Sequence, residues 1–475
     1  MESHEQMREH RKSGPKLQRG LSNRNIQLIA LGGAIGTGLF MGSGATIRLA
    51  GPSIILVYLI IGFVLFLIMR AMGEILLHNL HYKSFQDFTH DLVGPWAGFV
   101  TGWTYWFLWV VIAIGDMIVI TGYFDFWIGN MNISILCTLA LLVVLVAVNL
   151  LTVKLFGEVE FWFSLIKIFA IIALILVGGI MIAGGFHGPE GEVASFAHLW
   201  NHGGFFPTGI EGFLAAFSIA IYSFIGTELI GTTAAETQDP EYTIPKAINQ
   251  VPIRIAIFYV GALSVIMAIT PWDVINPEKS PFVSVFAMVG LAGAASVMNF
   301  VVLTSAASSA NSGIFSSSRM MYGLANQHQA PKSFAKLSKH QVPWRALIVI
   351  GALILIYLPI LKAGGSVMQG FQLISSVATT LILFIWGLIL VSYIRYRKTH
   401  RAEHEASSFK LHGASWTPWV GLAFIVFVAG VLVYFPATRL PVLLTPVWFV
   451  ILLVTWKIRK HRGMVSDFSA KDLLK

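Results

Sequence analysis

Charge is scarce in this sequence: Asp, Glu, Lys and Arg make up 12% of 475 residues, against about 25% in soluble domains. With 56% hydrophobic residues and a mean hydropathy of +0.74, the deficit excludes a water-soluble globule and a disordered chain. Cysteine occurs once, at Cys137, which excludes a disulfide scaffold. The net charge of +9 is spread between apolar segments, so no nucleic-acid partner is expected. Residues 1–24 are polar and basic and contain no apolar h-region, so no cleavable signal peptide is expected there. No lysine follows Gly36-Thr37-Gly38, which leaves ATP drive unsupported. The histidines, among them His4, His10, His78, His81, His90, His187, His198 and His202, cluster in tails and loops without ligand-like spacing. No metal and no cofactor is therefore expected.

Long runs free of charge are what the sequence has instead. A helix needs about 20 apolar residues to cross ~30 Å of hydrocarbon. Runs without Asp, Glu, Lys or Arg cover 49–69, 92–115, 126–153, 168–189, 255–272, 280–318, 363–394, 411–438 and 440–456. Segments near 26–48, 212–235 and 346–361, each with an embedded Gly or acidic residue, bring the expectation to twelve spans. Such runs are far longer than the ~10 alternating residues of a barrel strand, so the fold class is an all-α membrane bundle. Of the 32 Lys and Arg, only Arg48, Lys279, Lys362 and Arg439 fall on the side opposite the tails, while Arg70 and Lys167 lie within or at the edge of spans. The basic-residue bias puts both termini in the cytoplasm of a multi-pass protein in the lipid bilayer.

The first segment carries six glycines between Leu28 and Gly44, each about 1 kcal/mol worse than Ala in a helix. A helix so weakened unwinds, and in hydrocarbon unpaired amides are tolerated only where they line a cavity or bind something. Gly32, Gly36 and Gly44 would also suit a close-packing face, but Gly36-Thr37-Gly38 is denser than packing requires. Ile35-Gly36-Thr37-Gly38-Leu39 has an echo in span 6, Ile225-Gly226-Thr227-Glu228-Leu229. Five spans separate the copies, so they enter the membrane in opposite senses, the inverted-repeat arrangement of secondary transporters. Amides at the half-helix near Gly38 suit a carboxylate, and freed carbonyls around Ser223, Phe224 and Ile225 suit an ammonium group. A zwitterion fits the two ends.

These residues carry a family resemblance over most of the chain. Residues 28–44, Arg70-Ala-Met-Gly-Glu74, Gly94-Pro-Trp-Ala-Gly98 with Gly102-Trp103 and Tyr105-Trp106, Phe161-Trp-Phe-Ser-Leu-Ile-Lys-Ile168 and Thr233-Ala-Ala-Glu-Thr-Gln-Asp-Pro240 resemble bacterial amino acid permeases of the amino acid–polyamine–organocation superfamily. Ala194-Ser-Phe-Ala-His-Leu-Trp200, Pro277-Glu-Lys-Ser-Pro-Phe282 and the run 299–313 are most similar to the D-serine/D-alanine/glycine transporters of that family, whose relatives carrying L-alanine share much of them. The resemblance implies a five-plus-five inverted repeat with spans 1 and 6 discontinuous, two extra carboxy-terminal helices, and proton-driven uptake into a bacterial cell across its inner membrane. The chain then divides into an amino tail (1–25), a first repeat (26–184), an extracellular loop (185–210), a second repeat (211–398), spans 11 and 12 with their preceding loop (399–460) and a carboxy tail (461–475).

Charges inside spans are the candidates for coupling. Lys167 sits one turn into span 5; dehydration there disfavours its charged form and lets it gain and lose a proton. A lysine near a helix start can instead snorkel to the interface. In the resembled family the matching lysine is associated with proton coupling, in the place a sodium ion takes in sodium-driven relatives. On span 8, Ser305, Ser309, Ser312 and Ser316 share one helix face, joined by Thr304, Ser308 and Asn311. The stripe fits close packing or hydrogen bonding to a lysine head, and the expected contact is Ser309 with Lys167. Asp116 in span 3 and Glu228 beside the span 6 break are buried carboxylates able to carry a proton or attract an ammonium, and Glu228 equally fits a structural role toward freed amides. Arg70 and Glu74 are expected to form an interfacial ion pair, and Trp103, Tyr105, Trp106 and Trp109 either to wall the substrate path or, as the favoured reading, to form an interfacial or core cluster.

The expected function is proton symport of small neutral amino acids by alternating access, with the carboxylate on the amides of Gly36, Thr37 and Gly38 and the ammonium on the carbonyls of Ser223, Phe224 and Gly226. The resemblance makes Phe224 the inner lid. The alternatives are an exchanger, which shares every one of these motifs, and a permease for a different amino acid class; a channel lacks its polar ring and an enzyme its facing catalytic groups.

Overall fold

The computed structural model describes residues 35–82, 84–151, 153–188, 191–233, 239–290 and 293–462. The amino tail, the start of the first segment with Gly32 and Gly33, residues 234–238 of the Thr233 to Pro240 motif and the carboxy tail from 463 lie outside them. The described chain is helical throughout apart from short connections and one isolated bridge between His187 and Val193.

Among the described residues, ten helices are long and apolar enough to cross a membrane. After the turn Thr37–Phe40 come α1 (Gly42–Ala50) and α2 (Ile54–His78), joined by the tight turn Gly51–Ser53 into one stretch, Gly42–His78. Then follow α3 (Pro95–Ile128), α4 (Met131–Leu151), α5 (Val153–Ala183), α6 (Gly209–Ala220) and α7 (Pro240–Ile269). The chain continues through α8 (Ala294–Asn326), α9 (Trp344–Gly364), α10 (Val367–Thr399), α11 (Thr417–Tyr434) and α12 (Pro436–His461). At about 1.5 Å per residue, the 33 residues of α8 also have the length to cross, but its serines make it less apolar than the others.

Packing sorts these helices by their patterns. Helices α3 and α8 form the most extensive helix pair and α10 covers α3, so their apolar residues are buried almost all round. Outer helices keep one apolar face exposed: on α5, Trp162, Phe169, Leu176 and Ile180 point outward while Glu160, Ser164, Lys167, Ile171 and Leu174 point inward. That inward spacing of three and four residues is one helix face, and the outward stripe is what hydrocarbon tolerates. It also corrects the expected start of span 5. The helix begins at Val153, so Lys167 lies about four turns in and is only 2% exposed, which rules out snorkelling from a helix start.

The Arg70–Glu74 ion pair does not form. Arg70 donates to Asn249 Oδ1 (3.2 Å) and to the Lys410 carbonyl, and its guanidinium stacks 3.8 Å from the Phe409 ring centroid. Glu74 accepts from Tyr393 Oη (2.7 Å) and the Leu411 N–H (2.9 Å) and pairs with His404 Nδ1 (2.6 Å). Both residues face the connection between α10 and α11, where groups distant in sequence satisfy them better than each other.

Candidate functional site

The first break is built around glycine. Ile35 and Gly36 are not helical, and Gly36 is extended (φ −132°, ψ −164°) before the turn Thr37–Phe40 begins. The Gly36 carbonyl accepts the N–H groups of Leu39 and Phe40, both at 3.2 Å. Thr37 and Gly38, at the start of that turn, have no intrahelical acceptor for theirs. The positive end of the turn points into the bundle.

The second break faces it. The α6 helix tightens into a 3-10 turn, Ile221–Phe224, Ile225 is extended, and Gly226 takes φ +102° before helix resumes at Leu229–Thr233. Only glycine adopts that φ without strain. The freed Gly226 N–H donates to Glu228 Oε2 at 3.0 Å, and the Tyr105 hydroxyl lies 3.5 Å from the other carboxylate oxygen. Glu228 thus has the structural partner expected of an acid beside an unwound turn. The Phe224 carbonyl accepts the Thr227 hydroxyl (2.9 Å), and the Ser223 carbonyl accepts Tyr259 Oη (2.7 Å). Tyr259 comes from a π-helical stretch of α7, Ile255–Gly261, a distortion common at functional sites. Among the described residues, the Ile225 carbonyl accepts no hydrogen bond.

Gly226→Ala is expected to lower stability by about 1–3 kcal/mol through backbone strain. Its midpoint of thermal unfolding should fall, whereas Gly179→Ala, on an exposed face of α5 with no atom near the added methyl, should raise the midpoint slightly, as alanine replaces glycine inside a helix.

The two breaks touch: a Cβ on Gly38 would lie 2.6 Å from Ser223 Cα. Beside the contact is a cavity of about 30 Å³. Ile35, Gly36, Thr37 and Gly38 line it from one break and Ser223 and Ile225 from the other, with Lys167 and Ser309 completing the expected set. Phe224, Gly226, Glu228 and Asp116 stand behind this wall. Phe224 is stacked on Tyr259 at 4.9 Å, and Asp116 accepts the Thr37 hydroxyl at 2.8 Å, tying α3 to the first break. Two wall residues were not anticipated as ligands. The Trp109 indole N–H and the Tyr222 hydroxyl are buried at the cavity with no hydrogen-bond partner among the described residues, and buried polar groups without partners are rare.

A polar chain runs from the cavity into the bundle. Lys167 Nζ donates to Ser308 Oγ (2.9 Å), the neighbour of the serine expected, and Ser308 donates onward to Glu160 Oε2 (2.7 Å). Asn311 Nδ2 donates to Glu160 Oε1 (2.8 Å), and Asn311 Oδ1 accepts from Asn149 Nδ2 (2.6 Å). Glu160 and Asn149 were missed. Glu160 lies two turns before Lys167 on the same face of α5, a spacing visible in the sequence, but the charge-free run starting at 168 put it outside the membrane. Ser305, also on the serine stripe, donates to the Ile35 carbonyl at 3.4 Å, so the stripe both packs on the first break and serves the buried charges.

A multi-pass helical bundle with an internal cavity between the helix start at Thr37 and the unwound turn around Ile225 and Gly226 has the form of a membrane transporter, not of an enzyme. The amino acid permease family model matches residues 25–466, and the chain belongs to that family. It is 56% identical over 445 residues to the D-serine/D-alanine/glycine transporter of Escherichia coli strain K12, covering 93% of each chain. It is 50% identical over 448 residues to the amino-acid permease AapA of Bacillus subtilis strain 168, covering 94% of this chain and 96% of that one. The aromatic amino acid transport protein AroP of Shigella flexneri is 39% identical over 446 residues, with 94% and 96% covered.

Proposed function

We propose that this transporter imports small neutral amino acids (glycine, alanine and serine, D-isomers included) by proton symport with alternating access. The observation that carries the reading is the small polar cavity where the two breaks meet. Its narrowness, hemmed in by Trp109, Ile112 and Tyr222, favours a small substrate. The identity of 56% with a D-serine/D-alanine/glycine transporter supports the same substrate class. The substrate carboxylate meets the amides of Gly36, Thr37 and Gly38, with the Trp109 indole and the Tyr222 hydroxyl as further donors. The ammonium meets carbonyl oxygens at the second break, and the unengaged Ile225 carbonyl joins those of Ser223, Phe224 and Gly226 as acceptor, while Asp116 balances its charge. Phe224, adjacent to that break, is the inner lid.

Proton uptake and release at Lys167, aided by Glu228 or Asp116 and relayed through Ser308 and its neighbour Ser309, biases the rocking between open states. The architecture of this reading is twelve spans in a five-plus-five inverted repeat with spans 1 and 6 discontinuous. The packing of α1 on α6, one leading away from its break and the other toward its own, supports it. Both termini are cytoplasmic in the bacterial inner membrane, because the basic ends of α10 and α12 and the loop 327–343 share one end of the bundle. The alternative is exchange of internal for external amino acid.

Uptake of radiolabelled glycine, D-alanine, L-alanine and D-serine into proteoliposomes decides between them. Symport gives accumulation only with an imposed inward proton gradient. Uptake that ignores the gradient and is accelerated by amino acid inside the vesicles identifies the exchanger and rejects the proposal.

A further inference from the structure

We propose that Glu192, His198 and His202 form a zinc-binding site at the end of the bundle where α1 finishes and α6 begins, apart from the transport cavity. The residues sit in the connection between α5 and α6. A glycine turn, with Gly191 N–H on the Gly188 carbonyl (2.9 Å) and Gly188 N–H on the Glu192 carbonyl (2.8 Å), presents Glu192. The short helix His198–Asn201 puts His198 and His202 one turn apart on one face. This corrects the expectation that the loop histidines lack ligand-like spacing: an i, i+4 pair on a helical turn is such a spacing, and only the folded loop brings the carboxylate to it.

The geometry fits a tetrahedral ion. Glu192 Oε2 lies 3.1 Å from His202 Nε2 and 3.5 Å from His198 Nε2, and the three ligand atoms all lie within 4.8 Å of one another. Zinc–ligand bonds of about 2.0–2.1 Å place tetrahedral neighbours roughly 3.3 Å apart. Two imidazoles and a carboxylate are a donor set zinc favours, with a fourth position left for water.

Outer groups complete the arrangement. The second nitrogen of His202, Nδ1, is 3.5 Å from Asp273 Oδ1, the carboxylate–histidine pairing that orients metal-bound imidazoles. The Trp272 indole donates to the His202 carbonyl at 2.8 Å and fixes its backbone. His198 is buried, and its Nδ1 has no partner among the described residues, so its polar contacts are with the cluster itself. Glu192 and Asp273 keep side-chain exposures of 44% and 45%, which leaves a way in from water. Because Asp273 follows α7 and Arg48 of α1 donates to its carbonyl, an ion here ties the loop to the ends of α1 and α7.

The test is zinc binding by the purified full-length chain in detergent, carrying a tag without histidine, followed by desalting, metal analysis and calorimetric titration. One zinc ion per chain is expected for the wild type, with a rise in its unfolding midpoint. His198→Ala/His202→Ala should weaken binding at least tenfold and abolish the rise, and Asp273→Asn should weaken it about 10- to 100-fold. Wild-type protein that binds no zinc overturns the proposal. So does binding that the double variant retains, because the ion then sits on other histidines such as His4 or His10. Should the double variant not fold, Glu192→Gln, at an exposed carboxylate, carries the same comparison.

Discussion

Lys167→Met is expected to abolish accumulation of amino acid against a gradient, and Lys167→Met/Glu160→Gln to restore folding without restoring accumulation. Lys167 and Glu160 are both buried on the inward face of α5, and Ser308 bridges them, accepting from one and donating to the other. Removing one member of a buried pair costs about 3–5 kcal/mol, because the other charge is stranded, whereas replacing both is often close to neutral. The single variant should therefore express poorly and unfold at lower temperature. The double variant should recover its unfolding midpoint yet show counterflow only, since no group is left at that place to take up a proton. Proteoliposome uptake with and without an imposed pH gradient, alongside thermal unfolding, reads both effects. Gradient-driven accumulation by the double variant at the wild-type level would remove Lys167 from the coupling mechanism.

Two glycines two positions apart should both lose substrate binding on gaining a methyl but differ in stability. At Gly38 a Cβ would lie 2.6 Å from Ser223 Cα and 2.8 Å from its nitrogen, and backbone atoms have no rotamer by which to move aside. Gly38→Ala forces the two breaks apart. An overpacking cost of about 1–3 kcal/mol translates to roughly 5- to 150-fold weaker substrate binding, with a fall in stability. At Gly36 the nearest atom to a Cβ is Ser309 Oγ at 4.0 Å, and the extended backbone accepts alanine. Gly36→Ala should melt like wild type, but its methyl enters a cavity of about 30 Å³ and takes the space of the substrate carboxylate. Binding of labelled glycine, measured beside the unfolding midpoint, separates the two. A Gly38→Ala protein with wild-type binding would mean that the breaks do not meet in the binding state.

The sequence by itself determined the class and two glycines, Gly36 and Gly226, where the backbone leaves helical geometry. Hydropathy decides whether a segment can sit in lipid, and the backbone freedom of Gly36 and Gly226 is a local property that tertiary context only exploits. Helix boundaries were less legible. A charge-free run is a proxy for a span, and it fails where opposite charges are buried together, which is why Glu160 was left outside the membrane and Lys167 near its edge. The partners of Arg70 and Glu74 were likewise invisible, because they come from α7, α10 and a loop more than 300 residues on. The same holds for Asp116 on Thr37, Tyr259 on Ser223 and the carboxylate beside His198 and His202. Contacts of this kind depend on which helix faces turn toward one another, and periodicity tells which face is inward but not what it meets. Only the packed bundle decided those pairings, since a buried polar group must find whatever donor or acceptor the fold brings within about 3 Å.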